Sequence, residues 1–301
     1  MISIAMATYN GAKYIREQID SILNQTIQEF ELVICDDCSG DETPSILNEY
    51  VGKDNRIKFF RNECNMGFKN NFENVIRKCN GDFVALSDQD DIWSPDHLKI
   101  LVGAMNDNTQ LACGSPVFVD EFNNKLPKKY DYLKKNIVPS NDNDMARHIF
   151  LCRSTFQGAS MLLKKSFFNI ALPIPEGADF HDSWFAALAC FSGGLAFVDK
   201  PVMRYRRYGS AVTSSQRKLS PARLLAGSVF GRHSVKDRLV FIKNIRERVS
   251  DLTIDQLELL NTFECMLSRR KTLIGRIENI PYLLKHFQAI YCDDIKHLFS
   301  I

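Results

Sequence analysis

Residues 82–105, DFVALSDQDDIWSPDHLKILVGAM, decide the fold. Phe83 to Ser87 is a short apolar run that predicts a buried strand, and Ser94-Pro95 suits the cap and first turn of a helix that follows. Between strand and helix stand Asp88, Asp90 and Asp91. Carboxylates this close repel one another, and burying them unpaired is costly or raises their pKa. The segment therefore calls for positive charge nearby, from a side chain or from an ion.

The same alternation repeats outward. Ile2 to Ala7 reads as a first strand, and Ile15, Ile19, Ile22 and Leu23 recur at helical spacing. FELVICDD (30–37) is a second strand, and SGDETPSILNEY (39–50) has the acids and proline of a helix start. IKFFRN (57–62) is a third strand, after which Phe72, Val75, Ile76 and Cys79 form a helical face. Strands alternating with helices of ~10–15 residues predict βαβ units and a mostly parallel sheet covered on both faces. Ligands of such sheets bind beyond the carboxyl ends of the strands. TYN (8–10), DDCSGD (36–41), NECNMG (62–67) and SDQDD (87–91) all fall there. An ordinary polar loop explains any one of them; four on one rim describe a site.

With 301 residues, the chain has room for one large domain or for one domain and an appended piece. It is 45% hydrophobic and 25% charged, and its net charge of +2 carries no nucleic-acid signature, so no nucleic-acid partner is expected. Nine cysteines, scattered through apolar stretches, suit a reducing compartment. Cys35 and Cys38 form a C-x-x-C, but there is no second pair and two acids lie between them, which argues against zinc or redox use. No run approaches the ~18 apolar residues of a membrane span. The opening MISIAMATYNGAKY lacks the basic and apolar regions of a signal peptide, and the expected location is the cytoplasm, peripheral on the inner face of the cell membrane.

Further along, residues 120–145 are polar and irregular and read as a loop or small insertion. TFQGASMLLKK (155–165) reads as a strand running into a helix start, and HDSWFAALACF (181–191) as an apolar helix capped by Asp182 and Ser183. LAFVDKPVMRYRRYG (195–209) reads as two short strands. Residues 216–248 hold nine Lys and Arg against Asp237 and Glu247, interleaved with apolar residues. That pattern fits an interfacial helix on an anionic leaflet, or a helix packed on the protein with a solvated basic face. The expected domains are 1–214, in two halves (1–120 and 121–214), and a helical region, 215–301.

Oxygen ligands on a strand-end loop suit Mg²⁺ or Mn²⁺, which take one or two protein carboxylates and complete their shell with water and substrate phosphates. The D-x-D spacing puts Asp88 and Asp90 on the same side of an extended segment. A cap for the next helix by Asp91 or Ser94 accounts for one or two of the acids, not for three. Neither G-x-x-x-x-G-K-[ST] nor G-x-G-x-x-G is present, so phosphate charge falls to the cation rather than to a backbone cradle. Tyr9 offers a stacking face, and an aspartate of the second cluster can accept a hydrogen from a pyrimidine imide or a ribose hydroxyl.

ISIAMATYNGAKYIREQIDSILNQTIQEFELVICDDCSGDET (2–43) followed by LSDQDDIWSPDHL (86–98) resembles the family 2 glycosyltransferases of the GT-A fold, closest to bacterial members that build O-antigen, capsule and other surface polysaccharides. The likeness covers about residues 1–210. It implies a metal-dependent, inverting transfer of a sugar from a UDP- or dTDP-linked donor to a hydroxyl of a glycan or lipid-linked saccharide. By resemblance, Ala7, Thr8 and Tyr9 line the nucleoside, Asp37 reads the pyrimidine with Asp36 beside it, and Asn65 and Gly67 lie near the donor. Asp88, Gln89, Asp90 and Asp91 belong to the nucleotide-sugar site, with Asp90 the principal metal ligand and Asp88 the second. Asp182 matches the general base. Trp93, Gly158, His181, Arg206, Arg207 and Tyr208 are candidates for diphosphate or acceptor contacts. The chain departs from the family at His181, where Glu is frequent and where an imidazolium would lower the pKa of Asp182. It departs again at Tyr208, where many relatives carry a metal-binding His. A nucleotidyltransferase, a phosphohydrolase with an aspartyl nucleophile, and a non-catalytic relative serving in assembly are the competing readings.

Overall fold

A computed structural model describes residues 1–127, 141–151, 156–178, 180–208, 235–269, 278–279 and 281. The apolar runs become the centre of an eight-stranded sheet. Strands β1 (Ile2–Thr8) and β2 (Phe30–Asp36) are buried almost throughout, as strands with both faces covered must be. Strand β3 (Ile57–Arg61) is the more exposed edge, and β4 (Phe83–Ser87) pairs with β1 on its other side. Between them run α1 (Ile15–Leu23), α2 (Thr43–Val51) and α3 (Phe68–Lys78). Ile15, Ile19 and Ile22 of α1 and Phe72, Val75 and Ile76 of α3 face inward, each burial contributing roughly 1.5–3 kcal/mol.

The four strands β3-β2-β1-β4 are parallel. The chain leaves β1 in one direction to build β2 and β3, then returns to place β4 on the opposite side. This reversal opens a crevice beyond the carboxyl ends of β1 and β4, the place where open α/β sheets bind ligands.

After β4 come β5 (Ile92–Trp93), α4 (His97–Val102) and β6 (Leu111–Val119). Then follow α5 (Asp142–Leu151), β7 (Met161–Lys164), α6 (Phe168–Ala171), α7 (His181–Ser192) and β8 (Leu195–Arg206). The sheet order is β3-β2-β1-β4-β7-β6-β8-β5. The added pairs β4–β7, β7–β6 and β8–β5 are antiparallel, so the parallel order expected from the first half stops at β4. Residues 195–206 form one long strand rather than the two expected, and β6 is a strand that the sequence pattern does not mark. Gly114 in β6 allows a close approach of β8: a Cβ there would meet Val202 Cγ1 at 2.4 Å.

The chain divides into two compact units. The first holds Met1–Tyr130, Phe156–Ile174 and Ala196–Ser214; the second holds Asp131–Thr155, Pro175–Leu195 and Ser215–Ile301. Residues 131–155 and 175–195 thus group with the C-terminal helices rather than with the sheet. The second unit contains α5, α7, α8 (Val235–Arg248) and α9 (Ile254–Arg269). Its core centres on Phe150, stacked on Phe263 at 4.5 Å and edge-on to Phe241, which in turn meets Trp184. Phe241, Ile242 and Ile245 of α8 are buried in that core, so this part of the basic stretch turns its apolar face inward, not toward a lipid surface. The preceding residues 209–234 lie outside the described residues. No described helix is long and apolar enough to cross a membrane.

Candidate active site

The β1, β2 and β4 ends are tied together by their own polar groups. Thr8 Oγ1 donates to Asp36 Oδ1 at 3.0 Å, and the Ser39 N–H donates to Asp36 Oδ2 at 2.9 Å. Arg61 Nε lies 3.7 Å from the same carboxylate. Asp36 is fully buried and braces the rim through these partners. The last position of β2 pairs it across from Thr8, which turns the side chain inward.

Asp37 is likewise engaged from within the chain. Oδ1 accepts from Asn62 Nδ2 at 2.9 Å and from the Met66 N–H at 2.8 Å, and Oδ2 accepts from the Gly67 N–H at 2.8 Å. It fixes the loop that carries Asn65, which is exposed and whose Oδ1 also accepts from the Gly67 N–H. Ala7 is half-buried, and Tyr9 stands 47% exposed at the mouth, free to offer its ring face.

Gln89 links two loops of the rim. Its amide pairs with the backbone of Tyr9 in both directions, accepting from the N–H at 2.8 Å and donating to the carbonyl at 2.9 Å. Both ends of the carboxamide are thereby committed, and the β4 loop is held to the β1 loop. Gly11 leaves room for this clamp, because a Cβ there would meet Gln89 Oε1 at 2.3 Å.

The positive charge demanded by the acids is Arg206. This side chain, 3% exposed, donates from Nε to the Asp90 carbonyl at 2.9 Å, from Nη1 to the Glu121 carbonyl at 3.0 Å and from Nη2 to Glu17 Oε2 at 2.6 Å. Its guanidinium lies over the Tyr14 ring, 4.6 Å from the centroid. Its N–H also donates to Asp91 Oδ1 at 3.1 Å. Arg206 is therefore a brace for the acidic loop. Sequence reading missed Glu17 and Tyr14 as its partners; Glu17 lies 189 residues away, and no local signal marks it.

One cation does not neutralise three acids. Burial, with the charges of Asp90 and Asp88, pushes the Asp91 carboxyl well above its usual range, and its Oδ2 has no hydrogen-bond partner. Burial raises Asp90 too, against the lowering effect of the phenol of Tyr208, which donates to Asp90 Oδ2 at 2.6 Å. Among the described residues no three His, Cys, Asp or Glu side chains enclose a metal ion. Three carboxyl groups with one arginine among them nonetheless fit a cation that takes one or two carboxylates and leaves its other positions to water and phosphate. Arg207 donates its N–H to the Val119 carbonyl at 2.9 Å.

Two further candidates are buried. Trp93 is 3% exposed, paired with Met203 across β5–β8 and stacked on His97 at 3.8 Å. Gly158 sits in a buried 3-10 turn before β7. Both belong to the core of the first unit.

Asp182 and His181 lie in the second unit, in the first turn of α7. Phe180 occupies the N-cap position without a side-chain bond, so Asp182 is not the cap that its sequence position suggests; its Oδ1 accepts from the Ser183 N–H. Burial lowers the pKa of His181 to about 3. The neighbour of Asp182 is therefore a neutral imidazole, not the imidazolium considered from sequence.

A family model described as "Glycosyl transferase family 2" matches residues 3–168. The chain belongs to glycosyl transferase family 2. Among family 2 relatives, the chondroitin synthase of Escherichia coli is 34% identical over 113 residues, 38% of this chain and 16% of that protein. The Escherichia coli UDP-Glc:alpha-D-GlcNAc-diphosphoundecaprenol beta-1,3-glucosyltransferase WfgD is 35% identical over 108 residues, 36% of this chain and 42% of that protein. The chain thus spans less than half the length of either. Among solved structures, S. aureus TarS in complex with UDP-GlcNAc aligns with TM-score 0.62 at 17% identity, covering 99% of this chain and 83% of that one. The likeness is one of fold, and the fold is GT-A.

Proposed function

We propose that this family 2 chain transfers a sugar, with inversion, from a UDP- or dTDP-linked donor to a hydroxyl of a glycan or lipid-linked saccharide in surface polysaccharide synthesis. The observation that carries the reading is the loop after β4: three acids at the switch point of the sheet, with one arginine among them. The UDP-Glc in the name of WfgD and the UDP-GlcNAc bound to TarS support the donor class.

Asp90 and Asp88 would hold Mg²⁺ or Mn²⁺, which when bound offsets the charge of the donor diphosphate as it departs. Tyr9 stacks on the base, while Ala7, Thr8 and the Asn65–Gly67 loop ordered by Asp37 line the nucleoside. Asp182 takes the proton of the acceptor hydroxyl as that oxygen attacks the anomeric carbon, and a neutral His181 leaves its basicity intact. Holding donor and acceptor in line supplies much of the rate gain. Peripheral attachment to an anionic leaflet falls to the basic residues between Arg217 and Arg232.

Release of free UDP or dTDP from candidate nucleotide sugars, with an acceptor saccharide present, tests the reading. Chelation with EDTA abolishes release, and Asp182→Asn lowers kcat by about 10²-fold or more while nucleotide binding persists. Full transfer in EDTA refutes the metal assignment. Transfer of nucleotide rather than sugar, read by mass of the product, establishes the nucleotidyltransferase instead.

A further inference from the structure

We infer that Tyr208 is a positioning residue that restricts Asp90 to one free oxygen, so that the site selects a small divalent cation over Ca²⁺; this rests on the reading of Asp90 as a metal ligand. Asp90 Oδ2 is occupied by the Tyr208 phenol at 2.6 Å, within the range of a strong bond to an ionised acceptor. Oδ1 takes no hydrogen bond from another residue among the described ones. The phenol thus leaves Oδ1 as the oxygen that a cation would take.

The phenol is itself held in place. Its ring packs on Tyr14 at 5.0 Å between centroids, and Tyr14 lies under the Arg206 guanidinium. Arg206 also grips the Asp90 carbonyl, so the backbone and the side chain of Asp90 are fixed by neighbouring residues of one strand end. Tyr208 follows Arg206 by two positions, and the side-chain alternation of an extended segment puts both on the same side.

Mg²⁺ and Mn²⁺ accept single carboxylate oxygens in a near-octahedral shell, whereas Ca²⁺ tolerates more ligands and uses both oxygens of one carboxylate. Blocking Oδ2 disfavours the second arrangement. A phenol at neutral pH is a poor metal ligand but a good donor, so Tyr208 acts through Asp90 and not on the ion. The partners of metal ligands commonly change affinity by about 10–100-fold when removed.

The test measures Mn²⁺ binding to the full chain in the presence of UDP, by loss of the free-ion EPR signal, and then competition by Ca²⁺. Tyr208→Phe keeps the ring and removes the donor. Mn²⁺ affinity is expected to fall by about 10-fold, and the preference for Mn²⁺ over Ca²⁺ to narrow by a similar factor. Tyr208→His supplies a nitrogen donor and is expected to recover Mn²⁺ affinity above the Phe variant. Wild-type and Phe variants that bind Mn²⁺ equally, with an unchanged Ca²⁺ ratio, overturn the inference and leave the metal assignment standing. A wild-type chain that removes no Mn²⁺ from solution overturns both. Circular dichroism and UDP binding without metal confirm that the Phe variant is folded.

Discussion

Arg206 answers at the residue scale the question posed by Asp88, Asp90 and Asp91. Its fork bridges two backbone carbonyls and Glu17, a set of side-chain bonds that a point charge such as lysine cannot reproduce, while its backbone N–H meets Asp91. Arg206→Met leaves the acids uncompensated, and stability is expected to fall by about 3–5 kcal/mol, measured by urea denaturation at neutral pH. Arg206→Lys is expected to restore part of this and to remain below wild type. The sequence showed the arginine and the acids but not that they meet. It also suggested Asp36 and Gln89 as nucleotide-sugar contacts and Trp93 as a diphosphate or acceptor contact, by resemblance of the motifs. The structure gives Asp36 and Gln89 to the bracing of the loops and Trp93 to the core, since each finds its partner within the chain first.

Among the elements, β6 and β8 show what periodicity leaves unread. Leu111–Val119 contains Gly114 and Pro116, residues that argue against a strand from sequence, yet it forms one because β7 and β8 flank it. Gly114 is the contact point. Gly114→Ala forces a Cβ to within 2.4 Å of Val202 Cγ1, a buried β-branched side chain with little freedom to move. Overpacking is expected to cost about 1–3 kcal/mol, and Val202→Ala in the same chain to recover most of it, as read from melting temperatures of the single and double variants. By contrast β1, β2 and β4 were legible as continuous apolar runs, because strands buried on both faces need no alternation.

For the whole molecule, two buried histidines set an acid limit. Burial lowers both His97 and His181 to about 3, while the unfolded chain carries ordinary imidazoles near 6.5. Below 6.5 the unfolded state binds protons that the folded state refuses, so stability is whole above that pH and declines as pH falls toward 3. At pH 5.5 each histidine is expected to cost about 1.4 kcal/mol relative to pH 7.5. The raised carboxyls of Asp90 and Asp91 act in the opposite sense, so the measurement is the difference in pH slope between wild type and His97→Gln, by urea denaturation at the two pH values. The sequence by itself determined the βαβ order, the parallel half of the sheet and the family, because strand and helix periods and the D-x-D corner are local patterns. Only the tertiary structure decided which acid is braced by which cation, which motif residues turn inward, and that residues 131–155 and 175–195 group with the C-terminal helices. Those outcomes depend on contacts between segments far apart in the chain, and burial there, not residue type, fixes charge and role.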